Sequence, residues 1–95
     1  MKALDLRKKS FAIYGLGATG KSIINYFNRK KFKNYTIWDD NKDLQLYYKL
    51  NSRKRKFFFN SLNFVDFILI SPGINIKKIK NKKILLKNKK KIITD

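Results

Sequence analysis

A short apolar segment that runs directly into three closely spaced glycines constrains the fold of this chain more than any other feature. Residues 11–20 are Phe-Ala-Ile-Tyr-Gly-Leu-Gly-Ala-Thr-Gly, which matches the pattern G-x-G-x-x-G. In this pattern Gly15 permits a tight turn after a strand, Gly17 lets a ligand approach the backbone, and Gly20 lets the next helix pack against the sheet. Residues 19 to about 31 have apolar side chains at helical spacing and would form this helix. Since a helix amino terminus favours negative charge, the segment predicts an anion site at the turn.

The rest of the chain alternates short apolar runs with helical patterns. Four further strands are predicted, at residues 35–38, 57–59, 67–70 and 92–93. A second helix is predicted at about residues 43–50, with Asp40 or Asn41 as its cap. Pro72 must end the strand before it, because proline cannot donate a hydrogen bond to a sheet. The alternation predicts one α/β domain over residues 1–95, with a Rossmann-like, mostly parallel, five-stranded sheet and helices on both faces.

Three loops are expected to meet at one edge of this sheet. They are residues 15–20, 39–41 and 71–74, each of which follows a predicted strand. Ligands of open parallel sheets bind at the carboxyl ends of the strands, so these loops would form one site. Asp39 ends the second strand, where a carboxylate accepts hydrogen bonds from a ribose or a base edge; helix capping is its alternative role, for which Asp40 and Asn41 are better placed. Trp38 is expected in the core rather than stacked on a base.

Composition excludes several kinds of chemistry within these 95 residues. There is no cysteine and no histidine, so disulfides, zinc sites, thiolate nucleophiles and imidazole bases are not available. The first residues lack an apolar leader and no apolar run is long enough to span a membrane, which favours a cytoplasmic protein without membrane insertion. The net charge of +18 raises the possibility of a nucleic-acid partner. The lysines are scattered, however, which indicates a general compositional bias rather than specific nucleic-acid binding.

The glycine segment is open to other interpretations. Residues 15–22 also match G-x-x-x-x-G-K-[ST], the P-loop of ATP- and GTP-binding proteins, with Lys21 and Ser22 at its end and Asp39 available as its acid. The additional Gly17, an acid about 20 residues after the loop and the short chain favour G-x-G-x-x-G instead. The segment would also suit a stand-alone module that binds NAD or a similar nucleotide, or a glycine turn that binds nothing.

Taken together, the loops resemble those of a known family. The chain has Gly-Leu-Gly-Ala-Thr-Gly at 15–20, a strand ending in Asp39, the run Asp-Phe-Ile-Leu-Ile-Ser-Pro-Gly-Ile at 66–74, and an apolar pair before Thr94 and Asp95. This order resembles the amino-terminal domain of the Mur ligases, in particular the branch that adds D-glutamate. The resemblance implies a Rossmann-like domain that binds a UDP-sugar rather than a dinucleotide.

The resemblance also implies a role for each loop. The glycine loop would lie against the diphosphate and uridine, the acid at the end of the second strand would lie near the uracil, and the Ser-Pro-Gly turn would close the site. The expected UDP-sugar-binding residues are Gly15, Gly17, Ala18, Thr19, Gly20, Asp39, Asp40, Ser71, Pro72 and Gly73.

The chemistry implied by the resemblance is ATP-driven formation of an amide bond. In the full ligase the carboxylate of UDP-N-acetylmuramoyl-L-alanine becomes an acyl phosphate, the amine of D-glutamate attacks it, and the product is used in peptidoglycan synthesis. ATP, Mg²⁺ and D-glutamate would be bound by further domains. These 95 residues are therefore expected to bind the UDP-sugar without catalysing the reaction, and no catalytic or metal-ligating residue is expected among them.

Overall fold

Four short strands lie side by side in one parallel sheet. The computed structural model describes residues 8–93, so the first seven residues of the chain, and Thr94 and Asp95 after the last strand, lie outside the described residues. The strands are β1 (Phe11–Tyr14), β2 (Tyr35–Trp38), β3 (Phe67–Ile70) and β4 (Ile92–Ile93). Their order is β2-β1-β3-β4, and all three pairings are parallel. The predicted parallel α/β sheet is confirmed, with four strands rather than five in the described part of the chain.

The connections between the strands are helical. The helices are α1 (Ala18–Arg29), α2 (Lys42–Tyr47), α3 (Ser52–Ser61) and α4 (Lys82–Lys87), with short 3-10 turns at Ile76–Lys78 and Lys89–Lys91. α2 begins where it was predicted to begin, because the Asn41 side chain accepts hydrogen bonds from the backbone N–H groups of Asp43 and Leu44. None of the helices between residues 8 and 93 combines the length and the apolar character needed to cross a membrane.

Each face of the sheet carries its own apolar core. All four side chains of β1 are buried, and they alternate between the two faces. Ala12 and Tyr14 pack in a cluster with side chains of α3 and α4. Phe11 and Ile13 pack in a second cluster with side chains of α1. Helices therefore cover both faces of β1, as the alternating pattern predicted.

The predicted strand at residues 57–59 is wrong, because these residues lie in α3. The Asn51 side chain begins this helix by accepting a hydrogen bond from the backbone N–H of Lys54 at 3.0 Å. A strand would place Phe57 and Phe59 on the same face, but Phe57 is 62% exposed whereas Phe58 and Phe59 are 0% and 4% exposed. Phe58 and Phe59 thus lie on the buried side of α3, and the Phe57 ring is exposed to solvent.

Candidate functional site

The carboxyl ends of the first three strands surround a cleft of about 420 Å³, which we call the glycine cleft. Its lining residues are Gly15, Gly17, Ala18, Thr19, Asp39, Asn41, Leu44, Ser71, Pro72, Gly73 and Ile74. Eight of the ten predicted binding residues are among them, and the two that are not are Gly20 and Asp40. The volume lies within the range of about 300–1,000 Å³ that is typical of small-molecule sites. Leu44 was not among the predicted binding residues, and its only signal in the sequence was its position in the first turn of the helix capped by Asn41.

The sheet order explains why the cleft forms at this place. β1 is central, and the chain pairs it with β2 on one side and later with β3 on the other. The chain leaves β1 toward β2 on one side and leaves β3 toward β4 on the other, so the loops after β1 and β3 run in opposite directions. They leave a crevice between them at the carboxyl edge of the sheet. Ser71 joins the two loops: its N–H donates to the Tyr14 carbonyl oxygen at 3.0 Å, and its Oγ donates to the Gly15 carbonyl oxygen at 3.1 Å. The crevice walls are thus held in fixed positions relative to each other.

Two glycines of the motif are required by the fold itself. Gly15 has φ +107°, in the region that favours glycine, and a Cβ there would lie 2.5 Å from the Ser71 Oγ and 2.7 Å from the Ile74 Cδ1. A Cβ at Gly20 would overlap the carbonyl oxygen of Gly15. Gly20 is buried in α1, so it lets the helix approach the turn and does not itself face the cleft.

The other two glycines have no such structural requirement. A Cβ at Gly17 or at Gly73 would meet no heavy atom within 4 Å, and neither residue has a positive φ. Both are exposed and both line the cleft, Gly17 from the loop after β1 and Gly73 from the loop after β3. At each wall of the cleft, the space that a side chain at Gly17 or Gly73 would fill is therefore open to a ligand.

The amino terminus of α1 provides the polar groups of the cleft. The helix has 12 residues, Gly17 is its N-cap without a side-chain capping bond, and no acidic residue lies in the first turn. The first N–H groups of a helix have no acceptor within the helix, and here they lie at the wall formed by Ala18 and Thr19. Among residues 8–93, no lysine or arginine lines this cleft. An anion bound in it would be held by backbone N–H groups and the helix dipole rather than by cationic side chains.

Asp39 lines the cleft and at the same time fixes its shape. Its Oδ2 accepts a hydrogen bond from the Leu16 N–H at 2.6 Å, and its Oδ1 accepts one from the Asn41 N–H at 2.7 Å. Its carbonyl oxygen accepts a third from the Gln45 side chain at 2.9 Å. The carboxylate therefore joins the glycine loop to the loop after β2, a role that the sequence analysis did not identify. Its contact with a ligand stays a prediction.

Asp40 does not face the glycine cleft. Its carboxylate accepts hydrogen bonds from the Tyr14 hydroxyl and from the Trp38 Nε1, the second at 3.1 Å. Burial raises the pKa of the Tyr14 phenol, and the hydrogen bond to Asp40 raises it further, so Tyr14 stays protonated and donates. Trp38 is 2% exposed, which agrees with the core position predicted for it. Asp40 thus anchors two core side chains and lines a neighbouring cleft.

The P-loop interpretation requires Lys21 and Ser22 to face a bound phosphate. Both side chains are exposed, and neither lines the glycine cleft. Ser22 instead lines a separate surface depression together with Asn25, Asn28 and Arg29. The structure therefore supports G-x-G-x-x-G as the pattern that shapes this loop.

Comparison with known proteins identifies the same family that the three loops resemble. The family described as Mur ligase MurD-like, N-terminal domain, matches residues 9–93, which include every residue that lines the glycine cleft. The chain belongs to this family. The MurD-like match also includes Asp40 and Gly20, the two predicted residues that lie outside the cleft.

A curated relative of this MurD-like domain is the UDP-N-acetylmuramoylalanine--D-glutamate ligase of Buchnera aphidicola subsp. Schizaphis graminum (strain Sg). The two sequences are 36% identical over 74 residues, which cover 70% of this chain and 16% of the ligase. The chain thus spans about one sixth of the length of this relative. No solved structure matches the chain.

Proposed function

We propose that the glycine cleft binds the nucleotide part of a UDP-sugar, and that the chain is the substrate-binding part of a ligase that adds D-glutamate to UDP-N-acetylmuramoyl-L-alanine in peptidoglycan synthesis. Membership of the MurD-like family supports this assignment, as does the name of the Buchnera relative. The observation that carries the proposal is the pair Gly17 and Gly73, which leave open space on both walls although the fold does not need glycine at either position.

The cleft offers different chemistry to each part of such a ligand. The diphosphate would lie at the amino terminus of α1, where the N–H groups of the first turn can donate hydrogen bonds to its negatively charged oxygens. The uracil and ribose would lie toward Asp39 and Asn41, next to the apolar side chain of Leu44. Each Asp39 oxygen already accepts one backbone N–H and retains a second lone pair, so it can accept a further hydrogen bond from the ligand. Ser71, Pro72 and Gly73 would cover the opposite side.

The reaction would also use ATP, Mg²⁺ and D-glutamate. The glycine cleft does not fit ATP with Mg²⁺, because Lys21 and Ser22 lie outside it, and residues 8–93 contain no cluster of three or more metal-ligating side chains. ATP supplies the phosphoryl group that activates the substrate carboxylate, and we assign its site, with those of Mg²⁺ and D-glutamate, to other parts of a longer ligase. This chain would bind and orient the UDP-sugar.

Calorimetric titration of the chain with UDP-N-acetylmuramoyl-L-alanine, UDP and NADH tests the proposal. The UDP compounds should bind, and Gly17→Ala and Gly73→Ala should each weaken binding by roughly tenfold, since a methyl group would occupy the space of the ligand. Gly73→Ala should unfold at nearly the same urea concentration as the parent, because the added Cβ comes within 4 Å of no heavy atom beyond its chain neighbours in the described residues. Gly17→Ala should lose no more than about 1 kcal/mol, because alanine is a poorer N-cap than glycine. Ser22→Ala, on the exposed side of α1, is the matched control and should bind normally. Binding of NADH without binding of either UDP compound would overturn the proposal.

A further inference from the structure

A second cleft, of about 450 Å³, uses the same loop after β2. Asp39 lines the glycine cleft, and the next residue, Asp40, lines this one. Four cationic side chains surround it, and they come from separate parts of the chain: Lys42 begins α2, Arg55 lies in α3, and Lys78 and Lys80 follow β3. We call it the basic cleft. The fold, not a run of lysines in the sequence, brings these four charges together.

Asp40 is the one acid that the described residues place in the basic cleft, and it already accepts hydrogen bonds from uncharged partners. One oxygen of Asp40 accepts the Tyr14 hydroxyl, and the other accepts the Trp38 Nε1 at 3.1 Å. Four cations against one carboxylate leave a net charge of +3 in the lining. Because the Asp40 oxygens are directed to Tyr14 and Trp38, the cations have charge available for a ligand.

Arg55 is held in place rather than free in solvent. Its Nη2 donates to the Asn81 side-chain oxygen at 3.2 Å, and its guanidinium lies 5.8 Å from the centre of the Phe59 ring. Two contacts on different elements fix the planar group, so less side-chain entropy is lost when it binds an anion. Ser52 lies beside it in the first turn of the ten-residue α3, whose amino terminus adds positive potential.

The concentration of cationic side chains in this cleft differs from that in the glycine cleft and in the depression beside Ser22. In the described part of the chain, the lining of the glycine cleft contains no lysine or arginine, and that of the depression beside Ser22 contains only Arg29. A net charge of +18 spread evenly over the molecule would not produce this contrast. The two clefts at the carboxyl edge therefore offer different chemistry, with backbone N–H groups in one and cationic side chains in the other.

We propose that the basic cleft is a second anion site, distinct from the UDP-sugar site, that binds a small polyvalent phosphate such as a diphosphate or triphosphate chain. Such an anion carries about three or more negative charges, which balances the lining, and its oxygens suit both the guanidinium fork and lysine ammonium groups. The volume is sufficient for a phosphate chain, whether the chain is free or part of a nucleotide.

Titration of the isotopically labelled 95-residue chain with inorganic triphosphate, followed by amide NMR, tests this site. The shifts should concentrate at Gln45, Ser52 and residues 78–80 and should leave Gly17 and Thr19 unchanged. Lys78→Gln with Lys80→Gln should weaken triphosphate binding by roughly tenfold or more, the loss expected for two charge-assisted hydrogen bonds. A parallel titration with Mg²⁺-free ATP distinguishes the sources: equal affinity indicates recognition of the phosphate chain alone, and higher affinity indicates an added contribution from the nucleoside.

The matched control is Lys33→Gln with Lys87→Gln, which removes the same charge from two exposed positions outside the cleft. It should weaken triphosphate binding less than roughly twofold, since distant surface charges are screened. Equal losses in the two double variants would show that only the overall charge attracts the anion, and the proposal would be wrong. Shifts centred on Gly17 and Thr19 would also overturn it. UDP binding in the glycine cleft, followed by the amide shifts of Gly17 and Thr19, should be unchanged in Lys78→Gln with Lys80→Gln, so this site and the UDP-sugar site can fail independently.

Discussion

At the scale of single residues, the shape of the glycine cleft depends most directly on Asp39. Its two carboxylate oxygens hold the N–H groups of Leu16 and Asn41, so one side chain positions two of the three loops. A ligand that contacts Asp39 would meet a carboxylate whose orientation is already fixed. Asp39 is therefore a positioning residue for the cleft in addition to its predicted contact with a ligand.

Asp39→Asn should lower the free energy of unfolding by about 1–3 kcal/mol, because the amide nitrogen cannot accept a hydrogen bond and one backbone N–H loses its acceptor. Urea denaturation measures this loss. Asp43→Asn removes the same charge from an exposed position at the start of α2 and should lower it by less than about 1 kcal/mol. If Asp39→Asn is as stable as the parent but no longer binds UDP, the carboxylate acts on the ligand alone.

The glycine spacing predicted the turn, the helix and the open wall at Gly17, because each of these depends on residues close together in the sequence. The internal bonds of Asp39 could not be predicted in the same way. They depend on the distance between Leu16 and the end of β2, which is set only when β1 and β2 pair. The contacts of Asp40 were missed for a similar reason, since Tyr14 reaches it from the neighbouring strand β1.

At the scale of elements, α1 and α2 end in the same unusual way. Lys31 and Lys49 have φ values of +62° and +57°, in the left-handed region where glycine is the usual residue. The following N–H groups close each helix, from Phe32 to the Phe27 oxygen at 2.8 Å and from Leu50 to the Gln45 oxygen at 2.7 Å. Lysine in this conformation is strained, because its Cβ crowds the neighbouring backbone.

Lys49→Gly should raise the free energy of unfolding by about 1 kcal/mol, because glycine removes the strain and the hydrogen bonds that close the helix do not involve the side chain. Urea denaturation is again the measurement. Lys49→Ala is the control, since alanine removes the same positive charge and keeps the Cβ, and it should give no gain. Equal gains from glycine and alanine would assign the effect to charge instead.

The bounds of three strands could be predicted from the sequence, but the helical structure of α3 could not. The bounds of β1, β2 and β3 agree with the apolar runs that predicted them. Phe57, Phe58 and Phe59 were assigned to a strand because aromatic residues favour strands, a preference that tertiary packing overrides. The spacing of Phe58, Phe59 and Leu62, all buried, is helical and was the better signal.

At the scale of the whole molecule, three acidic residues in the described part of the chain, Asp39, Asp40 and Asp66, act as structural hydrogen-bond acceptors. The chain has six acidic residues against 24 basic ones. Asp66 accepts hydrogen bonds from the Ser10 N–H at 2.8 Å and from its Oγ at 3.1 Å, which joins the starts of β1 and β3. The Ser10 N–H lowers the pKa of the Asp66 carboxyl, with the Ser10 hydroxyl and nearby lysines contributing.

A carboxyl whose pKa is lower in the folded state stabilises the fold above its unfolded pKa and loses that contribution as the pH falls through the folded value. Asp66→Asn should therefore unfold at a lower urea concentration than the parent at pH 7. The difference should begin to shrink below about pH 4, near the ordinary pKa of an aspartate, and should be lost as the pH falls through the lower pKa of the folded carboxyl. Urea midpoints measured across this pH range check the prediction. A difference that persists unchanged at low pH would assign the effect to lost hydrogen-bond geometry rather than to charge.

The central position of β1 has a consequence for synthesis of the chain. This strand is made early, but its two neighbours in the sheet are residues 35–38 and 67–70, so one edge of it stays unpaired until residue 70 has left the ribosome. During that interval a nascent βαβ unit exposes the apolar side chains that β3, α3 and α4 later cover. The carboxyl-terminal half of the domain therefore packs onto a sheet that is only partly formed. The cleft at the edge of this sheet can exist only once translation has passed Gly73.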